Sequence, residues 1–193
     1  MLILVRHGRT VLNAEGRLQG RIDVALDDIG RRQAAAVAAR VGPVDELISS
    51  PLLRARETAD AFGQPYTVDD RWVELAYGVY EGVPHADTPS EIWNTWRTDP
   101  SFVPEGGESL TDIDARVRAA CDELVDRAAR RTVAVVSHVS PIKTAVAWAL
   151  GSPLDIAWRS HLSQASICRI EMRPQGPVLF TFNETPDELS AMT

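Results

Sequence analysis

Two histidines, two arginines and a glutamate carry the chemistry that this chain of 193 residues could perform. The first short apolar run, Leu2-Ile3-Leu4-Val5, ends in Arg6-His7-Gly8-Arg9-Thr10. A second, Thr132-Val133-Ala134-Val135-Val136, ends in Ser137-His138. Unbroken apolar runs of this length have the pattern of strands buried on both faces of a parallel sheet. In open α/β sheets ligands bind outside the carboxyl ends of the strands, so Arg6, His7 and His138 stand where chemistry is expected. Two strand-end histidines with arginine neighbours point to one shared pocket. Arginine forks match phosphate oxygens bidentately, and a neutral imidazole is nucleophilic near pH 7, so the reaction these groups suit is phosphoryl transfer.

The motifs continue in order. Asn13 and Leu18-Gln19-Gly20-Arg21 precede a helix approach ending in Gly30; Ser49-Ser50-Pro51-Leu52-Leu53-Arg54-Ala55-Arg56-Glu57-Thr58 follows. Then come Glu74-Leu75-Ala76-Tyr77-Gly78, Gly106-Gly107-Glu108-Ser109 and Val136-Ser137-His138. Together these blocks resemble the histidine phosphatase superfamily, the phosphoglycerate-mutase-like enzymes of its first branch, over residues 1 to about 172.

The resemblance implies a histidine acid phosphatase-type monoester hydrolase that needs no metal. His7 is the implied nucleophile, Arg6 and Arg54 the phosphate clamps, His138 a stabiliser of transition-state charge, and Glu74 the acid and later the base. Gly8, Asn13, Gln19, Arg21 and the Val139 amide are the expected substrate contacts. Arg21 and Gln19 would line the mouth, and Gly8 would let the backbone approach the ligand. Two positions depart from the family pattern: Val139-Ser140 stand where glycines are usual, and Ala76 where Asp or Asn is common. Both bear on substrate identity. The alternatives are a phosphoglycerate mutase dependent on a bisphosphate primer, or a catalytically silent phosphate-binding module. No Gly-x-x-x-x-Gly-Lys-Ser/Thr loop is present to support a kinase.

Bulk properties frame this reading. The chain is 45% hydrophobic and 24% charged, ordinary for a globular domain. Its net charge of −7 argues against nucleic acid, while an arginine cluster can still focus the field for a small phosphorylated metabolite. No apolar run is long enough for a membrane, and Arg6 interrupts any leader-like stretch, so a cytoplasmic protein is expected. Cys121 and Cys168 read as apolar fillers. No cofactor is expected, and a homodimer is the one protein assembly allowed for.

The elements that must hold these groups follow from punctuation. Asp27 or Asp28 caps a helix to about Arg40, and Glu46 to Ser49 is a strand. Pro51 suits the first turn of a helix to about Phe62, and Pro141 that of another through Leu150. Ser109 with Asp112 forms a capping box for an amphipathic helix to about Arg130. Residues 165–172 and 178–182 read as late strands. The sum is a three-layer α/β/α sandwich with a mostly parallel central sheet. One domain is expected over 1–183, with 82–105 a short excursion over the active site that contributes no core element, and 184–193 a loose tail.

Overall fold

The computed structural model describes residues 1–186. In chain order its elements are β1 (Leu2–Arg6), α1 (Val11–Ala14), α2 (Asp28–Val41), β2 (Glu46–Ser49), α3 (Leu53–Asp60), β3 (Thr67–Val68) and α4 (Ser90–Thr98). They continue as α5 (Leu110–Arg130), β4 (Val133–Ser137), α6 (Val139–Leu150), α7 (Ile156–Arg159), β5 (Ile167–Arg173) and β6 (Gly176–Glu184). The sheet order is β3-β2-β4-β1-β5-β6. The first four of these strands are mutually parallel, and β5 and β6 are antiparallel additions. The expected mostly parallel sheet is what forms.

β1 and β4 lie at the centre with every residue buried, because helices cover both faces. Side chains alternate across the sheet. Leu2 and Leu4 join Val133, Val135 and the apolar stripes of α5 and α6 on one side. Ile3 and Val5 join Ala134, Val136, Val37 of α2 and Ala55 and Ala59 of α3 on the other. The four apolar β1 side chains are at most 2% exposed.

Helix boundaries follow local chemistry. The Asp27 carboxylate accepts from Gly30 N–H at 2.7 Å to start α2, and Gly42, at φ 73°, ends it. The Ser109–Asp112 capping box is present at α5. Two starts differ from expectation. α3 begins at Leu53, with Pro51 lying outside the helix. α6 begins at Val139, two residues before Pro141, because the first helical N–H groups need no intrahelical partner and a proline is tolerated among them.

The excursion is more than a cover. It holds α4, and Trp96 is buried, meeting Tyr77 and Tyr80 edge-on, each with ring centroids 5.6 Å away. At the far end Glu184 still belongs to β6 and pairs with Arg169 at 3.2 Å. The rest of the expected tail, 187–193, lies outside the described residues.

Candidate active site

β1, β2 and β4 are parallel, so their carboxyl ends deliver Arg6-His7, Ser50 with Arg54 of α3, and His138 to one place. The His7 and His138 rings lie 5.0 Å apart, centroid to centroid. Both are buried, 3% and 0% exposed.

The hydrogen bonds assign the His7 tautomer. His7 Nε2 lies 3.3 Å from Arg54 Nε, and a guanidinium only donates, so Nε2 must carry a lone pair. The proton is then on Nδ1, 2.7 Å from the Gly8 carbonyl that accepts it. Burial, and next the Arg54 and Arg6 charges, hold the His7 pKa well below the usual imidazole value, so the ring is neutral. At His138 the contacts admit the same tautomer. Ser50 Oγ accepts from Leu52 N–H at 3.4 Å and, at 2.7 Å, its own hydroxyl can donate to His138 Nε2. That leaves an N–H on Nδ1, buried and without a protein partner. Burial and the Arg54 charge also keep this ring neutral.

The two arginines are used unequally. Arg54, 1% exposed, donates to Gly20 O at 2.7 Å and Ile22 O at 2.9 Å. With the Gln19 amide turned so that its oxygen faces these donors, Gln19 accepts from Arg54 at 3.0 and 3.2 Å and donates to Thr10 Oγ1 at 2.9 Å. Most of the Arg54 fork therefore holds the 19–22 loop. Arg6 spends one Nη1 donor on Leu162 O at 2.5 Å, and its buried Nε has no partner. Burial pushes both guanidiniums down to about 10, which leaves them charged at neutral pH.

Glu74 is 6% exposed and sits on the first turn of α6. Its Oε1 accepts from Leu75 N–H at 2.8 Å and Ser140 N–H at 3.2 Å, and its Oε2 from Val139 N–H at 3.1 Å. The helix dipole makes this end of α6 positive, so a carboxylate is favoured there. Behind it, Arg21 and Arg116 donate to the Glu74 carbonyl at 3.3 and 3.4 Å and share Glu108.

These groups surround a cavity of about 290 Å³. Arg6, His7, Asn13, Gln19, Arg54, Glu74 and Val139 all line it. His138 stands beside it through its contact with His7. Three expectations need correction. Gly8 does not line the cavity: a Cβ there would meet Gly30 O at 2.3 Å, so its glycine is required by α2 packing, and its N–H goes to Thr58. Arg21 points away from the mouth, drawn off by Glu108. The Val139 N–H is given to Glu74 rather than left for phosphate.

Other lining residues had weak signals or none. Gly16, Arg17, Leu18, Gly20, Tyr77, His85, Trp93 and Gln164 complete the cavity. Gln164 arrives because 165–166 bonds to the end of β1, Ser166 O accepting from Arg6 N–H at 2.9 Å. His85 is exposed, as a surface histidine would be, yet it reaches the mouth. Ser50 had a signal in its place directly after a strand end. Among the described residues no group of three or more His, Cys, Asp or Glu is placed to hold a metal ion, and no helix is long and apolar enough to cross a membrane.

A neutral imidazole backed by a carbonyl and faced by two buried guanidiniums, at the carboxyl end of a parallel sheet, defines a phosphate-handling α/β protein. The chain belongs to the histidine phosphatase superfamily (branch 1), whose family model matches residues 2–185. It is 38% identical over 185 residues to the bifunctional protein Rv2228c of Mycobacterium tuberculosis, covering 91% of this chain and 51% of that protein. The chain thus spans about half the length of the first curated relatives it matches. A glucosyl-3-phosphoglycerate phosphatase of Mycolicibacterium vanbaalenii is 35% identical over 170 residues, with 80% of this chain and 76% of that one covered. Phosphoserine phosphatase of Entamoeba histolytica, solved in complex with phosphoserine, superposes with a TM-score of 0.87 at 28% identity, covering 95% of this chain and 96% of the other.

Proposed function

We propose that this chain is a metal-independent phosphomonoesterase that hydrolyses a small phosphorylated metabolite through a phosphohistidine on His7. One observation carries the reading: His7 Nε2 holds a lone pair, in a neutral ring fixed by Gly8 O, between two guanidiniums.

Arg6, the remaining Arg54 donor and the His138 Nδ1–H neutralise the phosphoryl oxygens where charge develops. His7 Nε2 attacks phosphorus, and the P–O bond to the alcohol breaks. Glu74, having taken up a proton from the monoanionic form of the bound ester, gives it to the departing oxygen. Water then attacks the phosphohistidine, Glu74 takes the water proton, and the P–N bond breaks to release inorganic phosphate and restore His7.

The test is phosphate transfer to the protein. His7→Ala is expected to abolish hydrolysis of phenyl phosphate and acid-labile labelling of the chain by a radiolabelled substrate. Labelling retained by that variant defeats the assignment. Transfer to phosphoglycerate that requires added 2,3-bisphosphoglycerate would favour a mutase instead.

A further inference from the structure

Behind the active-site cavity lies a second recess of about 80 Å³. The two share Tyr77, Trp93 and Val139, so the recess adjoins the side on which Glu74 rests against α6. That is the side of the departing alcohol, because the acid must face the oxygen that leaves opposite His7. Its wall is aromatic. Trp93 lies 5.4 Å from Trp96 and 6.3 Å from Trp158, centroid to centroid.

Into this wall α6 places Lys143, the only lysine of the chain. Its Nζ donates to Ala157 O at 2.7 Å, and no carboxylate among the described residues pairs with it. Burial first lowers its pKa, and the charges that act on it belong to the active site: Arg6 disfavours its proton and Glu74 favours it. Trp96, which also lines the recess, has a buried indole N–H without a partner. Packing alone accounts for neither feature. Well-packed interiors leave few voids, and a half-buried cation among apolar rings is costly unless an acceptor completes it.

We propose that this recess reads the alcohol part of the substrate, taking a planar or branched apolar body that ends in a carboxylate for Lys143. The inference rests on the phosphatase reading above. It makes Lys143 a specificity-determining residue and the tryptophans a platform for the body of the leaving group.

The experiment compares para-carboxyphenyl phosphate, phenyl phosphate and methyl phosphate on the native chain, Lys143→Met and Lys143→Arg. Native kcat/KM is expected to rise in the order methyl, phenyl, carboxyphenyl. Lys143→Met should lower the carboxyphenyl value by about 10- to 100-fold, the span of one charged hydrogen bond, and leave phenyl phosphate within threefold. Lys143→Arg should recover part of the loss. Equal losses on both aryl esters, with a lowered melting temperature, would mean that Lys143 merely ties α7 to α6, and the proposal falls. A second readout avoids turnover: para-carboxybenzylphosphonate should change tryptophan emission in the native chain, at far lower concentration than in Lys143→Met. Hydrolysis of every ester without preference overturns the recess alone. No hydrolysis of any ester overturns the phosphatase reading, and the phosphonate titration still decides the recess.

Discussion

Replacing Glu74 by Gln keeps the shape of the side chain while removing one charge and one acceptor. Three N–H groups end on the carboxylate, two on Oε1 and Val139 N–H on Oε2. A glutamine that keeps the first two turns its own NH2 toward Val139 N–H, donor against donor. Losing that buried charged bond costs about 1–3 kcal/mol. Taking the anion from the first turn of α6 costs about 0.3–1 kcal/mol more. For a domain of this size the sum corresponds to a melting temperature lower by roughly 3 to 15 °C. The catalytic effect should depend on the leaving group. An alkyl phosphate needs the proton and should lose about 10²- to 10⁴-fold in rate. Para-nitrophenyl phosphate leaves unaided, so its first step should be nearly unchanged while breakdown of the phosphohistidine slows. Stopped-flow absorbance should therefore show a burst of nitrophenol followed by a depressed steady state. Equal slowing of both esters with no burst would refute the acid-base role and reduce Glu74 to an α6 cap.

Other perturbations have equally definite outcomes. His7 and His138 have folded pKa values below the unfolded imidazole, so below about pH 6.5 the unfolded chain binds more protons and stability falls with pH. Denaturant melts should show a slope approaching about 2.7 kcal/mol per pH unit for two protons, halved in His138→Gln; a pH-independent midpoint contradicts the neutral pair. Gly8→Ala drives a Cβ to 2.3 Å from the Gly30 carbonyl and should cost about 1–3 kcal/mol, together with most activity because His7 is its neighbour. An unchanged melt and rate would show that the contact relaxes freely. Exhaustive chelation should leave the rate intact, since arginines supply the charge a divalent ion would; loss restored by Mg²⁺ or Zn²⁺ would refute it.

What could be read from the chain was local. β1 and β4 announce themselves because burial on both faces leaves no polar residue in Leu2–Val5 or Val133–Val136. Arg6, His7 and His138 are legible because each abuts such a run. What escaped was set by partners distant in sequence. Glu74 claims the amide of Val139, 65 residues away, so a free N–H there could not be read from the His138 block. Gly8 answers to Gly30 across a backbone contact, and flexibility near a ligand was the only reason visible locally. The direction of Arg21 depends on Glu108, 87 residues on. Pro141 marked the right helix and its first turn but not its first residue, because a proline fits any of the first positions.

The central place of β1 in the sheet governs how the chain comes into being. Leu2 is hydrogen-bonded to the neighbourhood of Val133 on one flank and Ile170 on the other. During synthesis at about 5–20 residues per second, the wholly apolar Leu2–Val5 run waits about 8 to 30 seconds before both flanking strands exist. Pairings so remote in sequence are also slow to close once the chain is complete. His7 is thus made well before the β5 strand that flanks β1 and is among the last groups to be seated. A nascent or truncated chain that stops between β4 and β5 leaves β1 with one open edge, and one that stops before β4 leaves it with two. Yield in a cell should accordingly follow chaperone capacity during translation more closely than the melting temperature of the finished protein.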